Sequence, residues 1–130
     1  MSVFTLLERA ELEAFVAPYG LGRLLDFQGI AAGSENSNFF VDTDGGRWVL
    51  TIFERLTFKQ LPFYLELMRH LARAGLPIPA PQENRAGGLL SELRGKPAAI
   101  VTRLAGQWER APTPAHCAQF GTLIAQMHLA

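Results

Sequence analysis

The Asp44-Gly45-Gly46 turn constrains this chain more than any other short segment. The residues before it (39–43) and after it (47–53) are rich in β-branched and aromatic side chains, which favour strands. Aspartate followed by glycine supplies the positive φ angles that a tight hairpin needs. We therefore predict that residues 39–53 form an antiparallel hairpin.

Further helix and strand signals flank this hairpin. Because tight hairpins join antiparallel neighbours and no βαβ crossover repeats, the pattern indicates an α+β fold on an antiparallel sheet. Thr5 and Glu8 have the spacing of a capping box at the start of the first helix. The predicted order is a helix that ends at Pro18 and Gly20, strands over residues 24–27, 39–43 and 47–53, a helix between Pro62 and Gly75, strands over residues 89–93 and 98–104, and a helix that begins at Thr113 and Pro114.

Composition excludes several classes of function. Twelve basic and 12 acidic residues give a formal net charge of zero, so we expect no binding to nucleic acid or to an anionic membrane surface. The single Cys117, which we expect in the core, excludes an intramolecular disulfide, and the histidines lack zinc-site spacing. No stretch approaches the ~20 apolar residues of a membrane span, and we expect a cytoplasmic protein.

A loop without helical or strand periodicity, GIAAGSENSN, lies between the first two predicted strands. It contains Gly33, Ser34, Asn36 and Asn38, whose backbone N–H groups and short polar side chains could cradle phosphates. A surface loop rich in turn formers would look the same. Glu35 should point to solvent, because phosphates would repel its carboxylate.

The order of elements is typical of the small lobe of a protein-kinase-like enzyme. Four blocks carry a closer resemblance, GSENSNFFVDTDGGRWVLTIFER, LPFYLELMRHLARAGLPIPAP, GKPAAIVTRLAG and HCAQFGTLIAQMH. From about Phe4 to the last residue, the chain resembles bacterial homoserine kinases of the aminoglycoside-phosphotransferase-like type. The resemblance implies transfer of the γ-phosphoryl group of ATP, with Mg²⁺, to the hydroxyl of L-homoserine in threonine biosynthesis.

The resemblance also implies a division of the chain and a set of ATP-binding residues. Residues 1–104 would form the nucleotide-binding lobe and hinge, and residues 105–130 a linker and the first helix of a second lobe. The implied contacts are Gly33, Ser34, Asn36 and Asn38 at the triphosphate, Val49 at the adenine, Thr51 in the position of the phosphate-pairing lysine, Glu66 on the following helix, and the hinge backbone of Thr102 and Leu104.

The third strand departs from the kinase pattern because it has no lysine at Thr51. The chain's lysines, Lys59 and Lys96, lie elsewhere in the sequence. Strand alternation predicts that Val49 and Thr51 share the cleft face, whereas Trp48, Leu50 and Ile52 point into the opposite layer. Without a lysine partner, Glu66 is either a cleft-facing group or a solvated charge on the helix surface.

The last aspartate of the chain is Asp44, so nothing after the hinge can serve as a catalytic or magnesium-binding aspartate. We therefore expect an inactive fragment, with no catalytic or metal-binding residue, whose magnesium ligands lie in a missing lobe. Its final helix should pair two copies through Phe120, Leu123, Ile124 and Met127. The alternatives are a kinase for choline, an aminoglycoside or methylthioribose, and a non-catalytic nucleotide-binding or interaction module.

Overall fold

The computed structural model describes residues 5–33 and 35–130, which form one antiparallel sheet and three α-helices. The order of the five strands across the sheet is β1-β2-β3-β5-β4, and every neighbouring pair is antiparallel, as the sequence predicts for an α+β fold. The elements are α1 (Arg9–Val16), β1 (Leu24–Gly29), β2 (Asn36–Thr43), β3 (Gly46–Phe53), α2 (Leu61–Arg73), β4 (Ser91–Leu93), β5 (Lys96–Thr102) and α3 (Pro114–Leu129), with a 3-10 turn over Ala17–Tyr19 after α1.

The predicted hairpin is confirmed as β2 and β3, but of Asp44, Gly45 and Gly46 only Gly46 has the expected positive φ, at 149°. Thr43 pairs with Gly46, which leaves Asp44 and Gly45 as the two turn residues. A Cβ on Gly45 would lie 2.2 Å from the carbonyl oxygen of Leu21, so the close approach of the chain requires glycine there.

The prediction that Asn36 and Asn38 belong to the loop is wrong, because β2 begins at Asn36. Burial alternates along the whole strand, and Ser37 is completely buried on the same face as Phe39 and Val41. Residues that usually favour turns extend this strand because the sheet provides partners for their side chains. Thr51 binds Asn38, and Ser37 donates to Glu54.

The two faces of the sheet carry different helices. On one face, Leu50 and Ile52 are fully buried in a cluster that includes Leu12 of α1. On the other face, Leu65 of α2 packs with Ala99 of β5. The predicted alternation of β3 is confirmed, because Val49 and Thr51 have the opposite parity to the buried pair and are only partly buried. We call these surfaces the α1 face and the α2 face.

The start of α1 differs from the predicted capping box of Thr5 and Glu8. Glu8 is itself the N-cap residue, and its N–H donates to Glu11 Oε1 at 3.4 Å. Thr5 lies before the helix, where its hydroxyl donates to Glu54 Oε1 at 2.7 Å. Because the Thr5 hydroxyl makes this part-buried contact with Glu54, it does not cap α1.

The predicted end of α2 is confirmed by its hydrogen bonds. The Gly75 N–H donates to Ala72 O at 3.1 Å, and the Leu76 N–H donates to Leu71 O at 3.2 Å. These two bonds form a Schellman motif, which needs a left-handed residue after the helix. Gly75 supplies it with a φ of 88°.

The second hairpin is confirmed, but with shifted bounds. Its turn uses Arg94 and Gly95 alone, at φ values of 54° and 75°. Because two positive φ angles already complete a tight turn, Lys96 and Pro97 belong to β5 rather than to the predicted turn. β4 begins at Ser91 instead of residue 89, and β5 ends at Thr102 instead of residue 104.

The last helix begins as predicted, with Thr113 as the N-cap and Pro114 at its first position. None of its side chains is buried, and Phe120 is 63% exposed. The expectation that Cys117 lies in a core is wrong, because it is exposed on this helix. Pairing of two copies through α3 stays a prediction. No helix in the described part of the chain has the length and apolar character to cross a membrane.

Because Leu50 and Thr51 lie on opposite faces of β3, the same substitution should affect stability differently at the two positions. Leu50→Lys should lower the free energy of unfolding by about 3 kcal/mol or more, because it buries an ammonium group without a partner. Thr51→Lys should change it by only about 1 kcal/mol, the scale of the lost hydrogen bond. Urea unfolding of both variants and the wild type checks this. Greater destabilisation by Thr51→Lys than by Leu50→Lys would mean that the faces are reversed.

Candidate functional site

The α2 face of the sheet brings together two of the predicted site residues, Asn38 and Thr51. They are directly paired in the β2–β3 register, and the Thr51 hydroxyl donates to Asn38 Oδ1 at 2.8 Å. The side-chain nitrogen of Asn38 lies 3.9 Å from the position that a Cβ on Gly33 would take. Asn38 therefore presents its amide N–H groups beside the glycine loop, and Thr51 orients that amide.

The β1–β2 loop closes over this pair. The Ile30 N–H donates to Asn38 O at 2.8 Å, which continues the strand pairing to the edge of the loop. Gly33 is exposed and has a φ of 106°, a conformation that favours glycine. Glu35 is exposed, in agreement with the prediction that it points to solvent. Ser34, predicted to contact phosphate, lies outside the described residues.

The next position along the same face carries an aromatic ring and a cation. Phe40 pairs with Val49, and Val49 pairs with Val101 of β5. The guanidinium carbon of Arg103 lies 3.7 Å from the centroid of the Phe40 ring. Arg103 thus reaches from the residue after β5, across β3, to β2.

The predicted hinge lies where β5 ends. The Thr102 N–H donates to Ala80 O at 3.0 Å, and the Thr102 hydroxyl accepts from the Ala80 N–H at 2.9 Å. The Thr102 N–H is already bonded to Ala80. The carbonyl of Thr102 is therefore the backbone group of this residue that remains for a ligand. Leu104 follows the strand and is 47% exposed.

Glu66 is held by a neighbour on its own helix. Its carboxylate is 2.5 Å from Arg69 Nη2, and the same guanidinium reaches Glu83 at 2.7 Å. The Glu66 side chain is 53% exposed, and it lines an open cavity with residues 87–90 rather than with the strands. The structure therefore describes a helix-surface ion pair at Glu66, and its role at a nucleotide stays a prediction.

Neither lysine stands on the α2 face of the sheet. Lys59 is exposed in the turn before α2. Lys96 has the parity of Ala98 and Ile100, which pack in the α1-face core, and its ammonium lies 2.5 Å from Glu54 Oε2. The lysine–carboxylate pair of this chain is thus on the opposite side of the sheet from Asn38 and Thr51.

The Glu54–Lys96 pair belongs to a polar cluster under the start of β2. Ser37 donates to Glu54 Oε1 at 2.6 Å, and Lys96 donates to Thr5 Oγ1 at 3.0 Å. Burial by itself would raise the pKa of Glu54, but the hydrogen bonds from Lys96, Ser37 and Thr5 outweigh burial and hold this pKa below its ordinary value. The cluster connects the start of β2 with Glu54, which follows β3, and with Lys96, the first residue of β5.

No three histidine, cysteine, aspartate or glutamate side chains come together among residues 5–33 and 35–130.

Sequence reasoning missed Phe40 and Arg103. Phe40 could have been found from alternation, because it lies two residues after Asn38 on the same strand and must share its face. Arg103 lies between the predicted hinge residues, but no local pattern shows that its side chain crosses a neighbouring strand.

The chain thus has a five-stranded antiparallel sheet, a glycine loop at one end of it and one long helix on the α2 face. This arrangement defines the small lobe of a protein-kinase-like fold. Residues 26–130 match the family model described as the phosphotransferase enzyme family, and the chain belongs to this family.

Two curated relatives are called homoserine kinase. The chain is 54% identical over its full 130 residues to the one from Polaromonas naphthalenivorans and 53% identical to the one from Burkholderia thailandensis. It spans 41% and 39% of their respective lengths.

A solved structure has the same fold. The spectinomycin phosphotransferase APH(9)-Ia, crystallised with ADP and spectinomycin, matches with a TM-score of 0.68 at 16% identity. The match covers 95% of this chain and 38% of that protein. This likeness confirms the kinase-like α+β architecture that the sequence predicts.

The lowered pKa of Glu54 predicts a dependence of stability on pH. Glu54→Gln should lower the free energy of unfolding by about 1–3 kcal/mol at neutral pH, because it removes the charge that Lys96 binds. A lowered pKa means that the contribution is complete above the ordinary value of 4.5 and is lost as the pH falls through the folded-state value. The difference between wild type and variant should therefore shrink below pH 4.5.

Urea unfolding at a series of pH values measures this difference. Glu13→Gln, which removes a carboxylate that is 51% exposed, corrects for the change in net charge. A difference between Glu54→Gln and wild type that stays constant well below the ordinary pKa would contradict the assignment.

Proposed function

We propose that this chain is the nucleotide-binding part of an ATP-dependent homoserine kinase. Such an enzyme transfers the γ-phosphoryl group of ATP to the side-chain hydroxyl of L-homoserine. The observation that carries the proposal is the 54% and 53% identity, over the entire chain, to two homoserine kinases. The fold supports it, because a phosphotransferase with the same architecture was crystallised with ADP.

In this proposal, residues 1–104 are the nucleotide-binding lobe and hinge. Residues 105–130 are a linker and the first helix of a second lobe. The exposure of α3 supports this division, because none of its side chains is buried and Phe120, 63% exposed, has apolar area to bury against another unit.

The triphosphate would lie between the glycine loop and the Asn38–Thr51 pair. Gly33 allows the loop backbone to approach phosphate oxygens, and the side-chain N–H groups of Asn38 point toward that loop. Thr51 uses its proton on Asn38, so it acts by orienting the amide and offers phosphate no donor of its own. Asn36, at the first position of β2, and Ser34 complete the proposed loop contacts.

The adenine would lie over Val49 with its edge at the hinge. The backbone groups proposed for that edge are the carbonyl of Thr102 and the backbone of Leu104. Glu66 remains a proposed contact on α2, and its carboxylate also binds Arg69.

The chemistry of phosphoryl transfer also needs one aspartate to orient the attacking hydroxyl and another to hold magnesium. Asp44, the last aspartate of this chain, lies in the β2–β3 turn. We therefore propose that this chain binds and orients ATP, whereas the aspartates and the magnesium ion belong to another part of the kinase.

A chimera tests both halves of this division. The aligned segment of the Polaromonas naphthalenivorans homoserine kinase is replaced by these 130 residues. The chimera should phosphorylate L-homoserine with ATP and Mg²⁺ at roughly 1–100 per second, the range typical of kinases. The 130-residue chain alone should give no turnover, because it lacks the required aspartates.

Choline, spectinomycin and methylthioribose serve as comparison acceptors for the chimera. Turnover of one of them in preference to L-homoserine would replace the proposed acceptor. A chimera that folds with the thermal stability of the parent but has no kinase activity would indicate a non-catalytic module. Turnover by the isolated chain would overturn the assignment of the aspartates to another part of the kinase.

A further inference from the structure

We propose that Arg103, stacked on Phe40, is the platform on which the nucleobase lies. The proposal rests on the proposed function, because it assigns a residue to the nucleotide site of the α2 face. It adds a side chain that neither the predicted lysine position nor the hinge backbone accounts for.

The Arg103 guanidinium lies against the face of the Phe40 ring. A distance of 3.7 Å from the guanidinium carbon to the centre of the Phe40 ring is that of a flat group in van der Waals contact with an aromatic face. The planar, delocalised guanidinium favours this arrangement, whereas an ammonium group does not. The Phe40 ring covers one face of the guanidinium, and in this proposal the nucleobase stacks on the opposite face.

In the described part of the chain, Arg103 differs from the arginines that form ion pairs. Within residues 5–33 and 35–130, no carboxylate forms an ion pair with its guanidinium. Arg69 and Arg94, in contrast, each bind glutamates. A half-buried arginine held by an aromatic ring alone keeps its N–H donors for a ligand.

Phe40 also lies at a suitable position along the strands for the base of a nucleotide. Phe40 and Val49 form the register pair next to Asn38 and Thr51, about 7 Å away at the rise of a β-strand. The Arg103 N–H donates to Arg47 O at 3.3 Å, which fixes its backbone against β3. The guanidinium is therefore one step from the proposed phosphate contacts and adjacent to the hinge, which is where the base of a nucleotide would extend.

Bases stack on arginine planes as they do on aromatic rings. We therefore expect Arg103→Ala to weaken the binding of adenosine and ADP by about 10-fold or more, while the binding of inorganic pyrophosphate changes little. Arg103→Lys should lose nearly as much adenosine affinity as Arg103→Ala, because it restores the charge without the plane.

NMR titration of the 130-residue chain with adenosine, ADP and pyrophosphate measures these affinities. Arg47→Ala is the matched control, because it removes a cation from the same face that is 71% exposed and lies near Asp42 instead of an aromatic ring. It should leave adenosine binding unchanged. Phe40→Leu should reproduce the loss seen in Arg103→Ala, and urea unfolding midpoints should show that each variant is folded.

Each outcome decides a different point. Unchanged or tighter adenosine binding by Arg103→Ala would overturn the inference, and tighter binding would mean that Arg103 blocks the base site. Full affinity in Arg103→Lys would reduce its role to charge. In both cases ADP binding by the wild type leaves the proposed function intact. Absence of ADP binding by the wild type would contradict the proposed function, and the inference with it.

Discussion

The pairing of β2 with β3 is the constraint on which the rest of the structure depends. Antiparallel strands send alternate side chains to opposite faces, so one register decides at once what is buried and what is presented. Leu50 and Ile52 are completely buried on the α1 face, while Val49 and Thr51 alternate with them along the strand and lie on the α2 face. A shift of one residue would exchange the core with the candidate site.

Charge is distributed between these faces in an unusual way for the class. The lysine–carboxylate pair of this chain, Lys96 with Glu54, lies on the α1 face and joins strand ends beneath the glycine loop. On the α2 face of the sheet, Thr51 orients Asn38. In our account, the Lys96–Glu54 pair supports the glycine loop from the α1 face, whereas the Asn38–Thr51 pair contacts the phosphates. In the same account Arg103, which lies outside β3, supplies the flat surface on which the base stacks.

Much of the fold follows from local signals in the sequence. Asp44 and Gly45 determine one hairpin, Gly75 ends α2, and Thr113 with Pro114 begins α3, because each signal acts through its own backbone. The family resemblance was also readable, since the motif blocks stand in order along the chain. The alternation of Val49 and Leu50 then followed from the strand assignment.

The errors occurred where distant residues decide the outcome. Thr5 has the spacing of a cap but binds Glu54, 49 positions away. Asn36 and Asn38 have loop propensity, yet a fully buried Ser37 between them draws both into β2. Cys117 is apolar enough for a core but is exposed on a helix that has no buried side chain. Arg103 reaches Phe40 across an intervening strand, a contact that no spacing along the chain encodes.

The central claim is that nucleotide binds the α2 face of the β2–β3–β5 sheet. Methyl and amide NMR shifts during an ADP titration of the 130-residue chain test it most directly, because the two faces carry separate reporters. If nucleotide binds the α2 face, ADP should shift the resonances of the Gly33 amide and of the methyl groups of Val49, Thr51 and Val101. The resonances of Leu50 and Ile52 should not shift. Shifts confined to Leu50, Ile52 and the α1 helix would contradict it.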